Sequence, residues 1–317
     1  MPHSTEYAIE VEALTKHYGD LQAVNGVSFN VRQGEVFAFL GPNGAGKTTT
    51  VEIIEGIRTP TSGKVHVLGM DIAKNKHAII PRIGVLPQGF SSFDRITVRE
   101  SIHYYAQLFG CPHPDVDGLM HLTELQDKSR VQFRELSGGL KQRLGIAIAL
   151  VNDPEIVFLD EPTTGLDPHA RRAVWDVLLG LKNQGKVVFL TTHYMEEAEL
   201  LADTVAIIAR GNIVAIGSPA ELIERHAHYM CLTLKSVNAT TAATLRQMNY
   251  EPVEDHRHNI KVLVPHTDDV YAILQSLKSA GNALPGMDVR KPNLEEVFLA
   301  LTHESLRGDA LADGDIS

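Results

Sequence analysis

A short apolar run, Val36 to Leu40 (VFAFL), passes without a break into GPNGAGKTT, Gly41 to Thr49. The run has no polar position on either face, so it reads as a strand buried on both sides, at the centre of a mostly parallel sheet. The glycine-rich segment after it matches the spacing G-x-x-x-x-G-K-[ST], in the strand-to-helix setting that this pattern requires. Gly44 and Gly46 can turn successive backbone amides inward, and the next helix points its N-terminal amides the same way. Such a cradle fits the phosphates of a nucleotide. Pro42, Asn43 and Ala45 complete the loop, and Lys47 brings an amine to the β- and γ-phosphates. The Thr48 hydroxyl can coordinate Mg2+, and Thr49 extends the phosphate contacts. These residues commit the chain to an α/β fold of the P-loop NTPase class.

Further apolar runs fall where that sheet needs them: Ile156 to Asp160, Val187 to His193 and Thr204 to Ala209. Helical stretches, Ala170 to Asn183 and Met195 to Ala202, separate them, which is the alternation of a parallel sheet under helices. Ahead of the loop, YAIEVEALTKHY and VNGVSFNV alternate as short antiparallel strands with turns around Gly19 and Gly26. Residues from about 96 to 150 read instead as a mainly helical insertion, broken near Gly110 to Pro114. A first domain over about 5–222 is thus expected, closing after the turn at Gly211-Asn212. A small α/β accessory domain over about 228–303 comes next, with strands at Tyr229 to Lys235, Ile260 to Pro265 and Asp288 to Arg290. Its helices are expected at Ala239 to Met248, Asp268 to Ser279 and Leu294 to Leu301. The polar tail, 304–317, lacks periodic apolar positions and reads as disordered.

Strand ends supply the chemistry that a phosphate loop needs. Asp160 closes IVFLD and is placed to meet the metal, directly or through water. Glu161, one residue further toward the sheet edge, is the better placed to polarise an attacking water. Gln88 comes after IGVLP and can meet Mg2+ or that water, while His193 comes after VVFLTT and can reach the γ-phosphate. Tyr18 either stacks on a purine base or packs in the core; the residues alone leave both open. His256 and His258, in DHRH, read as a charged surface turn rather than metal ligands.

The remaining composition mostly excludes. A formal net charge of −10 argues against a broadly basic nucleic-acid surface. Cys111 and Cys231 stand far apart, so they imply no disulfide framework or cysteine metal cluster. The opening MPHSTEYAIEVEAL lacks the basic start and apolar run of a secretory signal, and no stretch reaches the ~18 apolar residues of a membrane span. At a membrane, such a chain would be held by a partner.

A second glycine pair lies in LSGGLKQR, where Ser137, Gly138 and Gly139 open another helix. One Mg-nucleotide is already crowded by the first loop, Asp160, Gln88 and His193. The helical insertion would more naturally hold this second pair out toward another molecule. TTGLDPHARR, just after Glu161, reads as a polar loop at a shared boundary, so two copies facing head-to-tail would make two composite sites.

Gly41 to Thr49, Gln88, LSGGLKQR, IVFLDEP, GLDP and His193 together resemble, in order, the motif set of the ATP-binding cassette family, over about Tyr7 to Leu222. The resemblance implies a cassette fold with an antiparallel β subdomain and a helical insertion. It implies Tyr18 as the base-stacking residue, Glu161 as the catalytic glutamate and His193 as the switch histidine, with Lys47 and Gln88 in the catalytic set. In that family the Ser137–Gly139 signature closes over ATP held by the other subunit. Leu140 stands where the commonest signature has glutamine. GFSSFDRITVRESIHYYAQLFG and PNLEEVFLALT further resemble ATPase subunits of ABC-2-type exporters. That implies ATP and Mg2+ as cofactors, a second copy and separate transmembrane permease subunits as partners, and a peripheral place on the cytoplasmic face of the cell membrane. No direct nucleic-acid partner is expected. A soluble ATPase working on a ribosome or nucleic-acid complex is the alternative enzyme, but such members carry two cassettes or a long coiled-coil insertion. A nucleotide-dependent regulatory module that barely hydrolyses is the alternative of another class.

Overall fold

The computed structural model describes residues 6–302 apart from 228, 236–238, 256–258 and 281–285. The tail 304–317 and the pair His256 and His258 lie outside the described residues. The chain divides after Pro219 into two compact units.

In the first unit, β1 (Tyr7–Tyr18) and β2 (Leu21–Arg32) form an antiparallel ladder, followed by β3 (Val36–Leu40) and α1 (Lys47–Ile54). β4 (Ser62–Val67) and β5 (Met70–Asp71) complete a four-stranded sheet in the order β2-β1-β4-β5. After α2 (Ile72–Ile79), β6 (Ile83–Leu86) enters the second sheet, and the helices α3 (Val98–Leu108), α4 (Val116–Leu122) and α5 (Gly138–Ala149) come next. Thr97 and Glu100 close a reciprocal capping box at the start of α3. The chain then alternates β7 (Ile156–Asp160), α6 (Pro168–Asn183), β8 (Val187–Thr192), α7 (Met195–Leu201) and β9 (Thr204–Ala209), with β10 (Asn212–Gly217) as a returning antiparallel edge. The sheet order is β10-β9-β3-β8-β7-β6, which puts β3 in the interior where its all-apolar sequence requires it.

Aromatic rings fill the space between the sheets. Phe29 of β2 stacks on Phe37 of β3 at 5.2 Å, and Phe37 on Phe189 of β8 at 5.2 Å. Contacts of this kind are worth about 0.5–1.5 kcal/mol each beyond the area they bury.

Three expectations require correction. The first two strands are not short: each runs 12 residues. Gly26 marks no turn but a bulge inside β2, where Leu14 faces Val27 and Lys16 faces Val24, so the ladder absorbs an extra residue and continues. The polar loop after Glu161 is also shorter than read, because Asp167 accepts from the amide of Ala170 (2.8 Å) and caps a helix that starts at Pro168.

Across the division between the units runs α8 (Pro219–His226). The second unit holds β11 (Met230–Lys235), α9 (Ala239–Gln247), β12 (Val253–Glu254), β13 (Ile260–Val264), α10 (Thr267–Ser279) and β14 (Gly286–Arg290). Its antiparallel sheet has the order β12-β13-β11-β14, the βαββαβ arrangement of a ferredoxin-like fold. Leu245 of α9 and Ile273 and Leu277 of α10 pack on Leu232, Leu234 and Val262 of the sheet. A further helix over 294–302 buries Leu294 and Val297.

Candidate nucleotide site

The phosphate loop leaves β3 and turns directly into α1. Gly46 is its tightest point: its φ is +102°, and a Cβ there would lie 2.3 Å from the carbonyl oxygen of Ala23. No other residue fits both the dihedral and the gap. Pro42, Asn43, Gly44 and Thr48 are exposed, while Ala45 and Lys47 are buried. Lys47 Nζ donates to the carbonyls of Gly41 (2.8 Å) and Pro42 (3.2 Å) and stands 3.6 Å from Glu161 Oε1. Burial lowers its pKa from the ordinary lysine value, with Glu161 and Asp160 opposing that effect.

Thr191, in the strand beside β7, organises both carboxylates. Its hydroxyl donates to Asp160 Oδ1 and accepts from the amide of Glu161 at 3.0 Å. Thr48 Oγ1 lies 3.4 Å from Asp160 Oδ2. Glu161 turns away from the strand at a φ of +50°, a conformation that costs a non-glycine residue about 1–2 kcal/mol. The surrounding bonds hold it there. Its Oε2 accepts from Gln88 Nε2 at 3.2 Å and from Thr164 Oγ1 at 3.0 Å. His193 Nδ1 is buried 3.3 Å from that same oxygen but makes no aligned hydrogen bond. Lys47, Gln88, His193 and Glu161, read separately from four points in the chain, therefore meet around one carboxylate.

A cleft of about 450 Å³ opens beside them, lined by Tyr18, Leu21, Asn43, Gly44, Gly46, Lys47, Thr48, Thr49, Gln88 and Glu161. Tyr18 is 40% exposed at the end of β1, which removes the core-packing alternative for its ring. Lys16 Nζ lies 5.1 Å from the ring centroid.

Ser137, Gly138 and Gly139 do not line this cleft. Ser137 caps α5, its hydroxyl accepting from the amide of Leu140 at 3.4 Å. Ser137 and Gly138 are exposed, and Gly139 is buried against α6, where an added Cβ would lie 2.6 Å from Cβ of Ala170.

Among the described residues no group of three or more His, Cys, Asp and Glu forms a metal cage. The pairing of a threonine hydroxyl with one carboxylate nevertheless suits Mg2+, which keeps several waters and takes its other ligands from substrate phosphates.

Three side chains of the site were not singled out by sequence. Thr191 and Thr164 carry no motif signal of their own. Glu197, in MEEAE, looks like a helix-surface charge, yet it is fully buried and accepts from Thr163 Oγ1 (2.8 Å) and Trp175 Nε1 (3.0 Å). Burial raises its pKa against the effect of these donors and of Arg171.

The ABC transporter family model matches residues 24–164. A Nod factor export ATP-binding protein I from Ralstonia nicotianae is 38% identical over 308 residues, 94% of this chain and 95% of the relative. The solved structure of cbiO1 from Clostridium perfringens, part of the ABC transporter complex cbiONQ, is 28% identical with a TM-score of 0.62, over 69% of this chain and 92% of that one. An ATP-binding cassette solved as a post-hydrolysis dimer bound to ADP and Pi is 25% identical with a TM-score of 0.59, over 66% of this chain and 98% of that one.

Proposed function

Since the chain belongs to the ABC transporter family as an ATP-hydrolysing subunit, we propose that it drives export through a separate ABC-2-type membrane permease. Among the described residues no helix is long and apolar enough to cross a membrane, so in this reading the permease supplies the span and holds the cassette at its cytoplasmic face.

One observation carries the catalytic reading: both oxygens of Glu161 are engaged by the groups that border the cleft. In this reading Tyr18 stacks on the base, and Gly41 to Thr49 wrap the phosphates. Lys47 exchanges the carbonyls of Gly41 and Pro42 for β- and γ-phosphate oxygens. Thr48, Gln88 and Asp160 would hold Mg2+, which offsets charge building on the phosphates. Glu161, released from Lys47, orients the attacking water, and His193 faces the γ-phosphate. A second copy brings Ser137, Gly138 and Gly139 over the open side of the cleft, head-to-tail. The exposure of Ser137 and Gly138 at the α5 N-terminus, which line no part of their own cleft, supports that arrangement.

Glu161→Gln tests the assignment. The variant should keep ATP, slow hydrolysis by at least about a hundredfold and accumulate as a dimer in ATP. Normal turnover would overturn the role given to Glu161.

A further inference from the structure

Glu197 is fully buried on α7, where three elements that carry or border the nucleotide site meet. Its Oε1 accepts two hydrogen bonds at once, from the Thr163 hydroxyl at 2.8 Å and from the Trp175 indole N–H at 3.0 Å. Thr163 lies two residues after Glu161 and is itself fully buried, while Trp175 belongs to α6. Oε2 is buried too, with no hydrogen-bond partner among the described residues. Arg171 of α6, the cation acting on this carboxyl, likewise has a buried Nε without one. A carboxylate out of water and half satisfied destabilises a core, where an apolar side chain of similar size would not. What the apolar side chain lacks is an acceptor that joins two elements at one point.

The bond to Thr163 reaches Glu161 through a short segment. The Thr164 amide donates to the carbonyl of Glu161 at 3.2 Å, and its hydroxyl donates to Oε2 at 3.0 Å. The Leu166 amide donates in turn to the carbonyl of Thr163 at 3.2 Å. Two turns thus share Thr163 and Thr164, and an anchor on Thr163 holds both. Glu161 needs that anchor, since a φ of +50° is a conformation that a non-glycine residue resists. On the other side, Glu197 lies four residues after His193, in the first turn of α7. The turn between them is fixed in its own right. The Tyr194 amide donates to the Thr192 hydroxyl at 2.9 Å, and the Tyr194 ring lies 4.1 Å from that of His193 and 4.5 Å from the Arg171 guanidinium. One carboxylate therefore spans from the turn of Glu161 to the helix that follows His193, whose Nδ1 stands 3.3 Å from Glu161 Oε2.

We propose that Glu197 is a positioning residue for hydrolysis: by accepting from Thr163 it fixes the spacing between Glu161 and His193, while Trp175 only seats the carboxylate. The inference rests on the water-orienting role given to Glu161. Loss of the acceptor lets the turn after Glu161 relax toward an ordinary φ and carries its carboxylate off the line of attack. The phosphate loop leaves another strand, β3, and keeps its place, so the effect falls on kcat rather than on KM.

The test is steady-state phosphate release by the full-length chain over a range of ATP concentrations. Glu197→Ala should lower kcat at least about tenfold with KM for ATP held within about twofold. Thr163→Val, which keeps the shape and removes the donor, should do the same, and the double variant should fall no further. Glu197→Gln keeps an acceptor oxygen and should recover most of the rate. Trp175→Phe breaks the other bond to the same oxygen; it should lower the melting temperature while kcat stays within about twofold. A purely structural Glu197 would make Trp175→Phe and Glu197→Ala slow alike, or leave kcat intact in both, and either result ends the proposal. So do losses that multiply in the double variant. If Glu197→Ala does not fold, Thr163→Val and Glu197→Gln still decide, because a Thr163→Val enzyme at full rate refutes the link. Normal turnover by Glu161→Gln would instead remove the reading on which the inference stands, whatever the Glu197 variants do.

Discussion

Glu55→Gln should remove a pH dependence from the stability of the first unit. Burial, reinforced by the nearby charges of Asp160 and Glu52, pushes the Glu55 carboxyl from its ordinary 4.5 up to about 8. The native chain therefore holds a proton that the unfolded chain has given up across that window. Stability is unaffected below pH 4.5, falls as pH rises toward 8, and levels off above it. At about 1.4 kcal/mol per pH unit, the gap sets a ceiling of about 5 kcal/mol on the loss. Glutamine fills the same volume and does not titrate, so the variant should gain on the parent by about 3 kcal/mol between pH 5.5 and 7.5. The assay is urea unfolding of the full-length chain at both pH values and constant ionic strength. It can be followed by the fluorescence of Trp175, the single tryptophan, which is buried in α6 of this unit. All other titrating groups are shared and cancel in the difference. A variant that differs from the parent by the same amount at both pH values would show that Glu55 is not held protonated, and the reasoning would fail.

Lys47→Ala removes a cation that donates to two carbonyls and stands beside Glu161, and should weaken ATP binding by ~1.5–3 kcal/mol in titration calorimetry; unchanged affinity would count against its role. Tyr18→Ala should raise KM for ATP by the ~1–3 kcal/mol of a base stack while kcat changes little, and an equal fall in kcat would point to a structural ring instead. Gly139→Ala drives a Cβ into Ala170 and should destabilise the first unit by ~1–3 kcal/mol in thermal melts. An unshifted melt would mean that α5 and α6 can separate without cost.

The strands that carry the site were legible because burial on both faces leaves no polar positions to blur them. The runs from Val36, Ile156 and Thr204 end in the structure where the sequence pattern ends. The antiparallel sheet was harder. Gly26 looks like a turn residue, yet within a ladder its left-handed dihedral serves a bulge, and only the cross-strand register tells the two apart. SGKVHV (Ser62–Val67) is too short and polar to declare a strand, and it becomes one because β1 offers it an unpaired edge. Lys47, Gln88, Glu161 and His193 could be picked out one by one as polar residues at strand ends or in the loop. Thr191 could not, since a threonine in VVFLTT is ordinary strand sequence until the parallel register sets it opposite Asp160. Glu55 stayed hidden for the reverse reason: EIIEG reads as a helix end with a solvated charge, yet the fold leaves that residue only 7% exposed.

The ring of Phe29, wedged against Phe37 and Phe39, belongs to one sheet while its neighbours belong to the other. It works as a rivet. Tyr18, on the strand paired with β2, is thereby tied to the phosphate loop that leaves β3, so in the proposed reading one stiff jaw would hold both base and phosphates. Any widening of the mouth to admit or eject nucleotide must come from the segment around Gln88 and the helices beyond it.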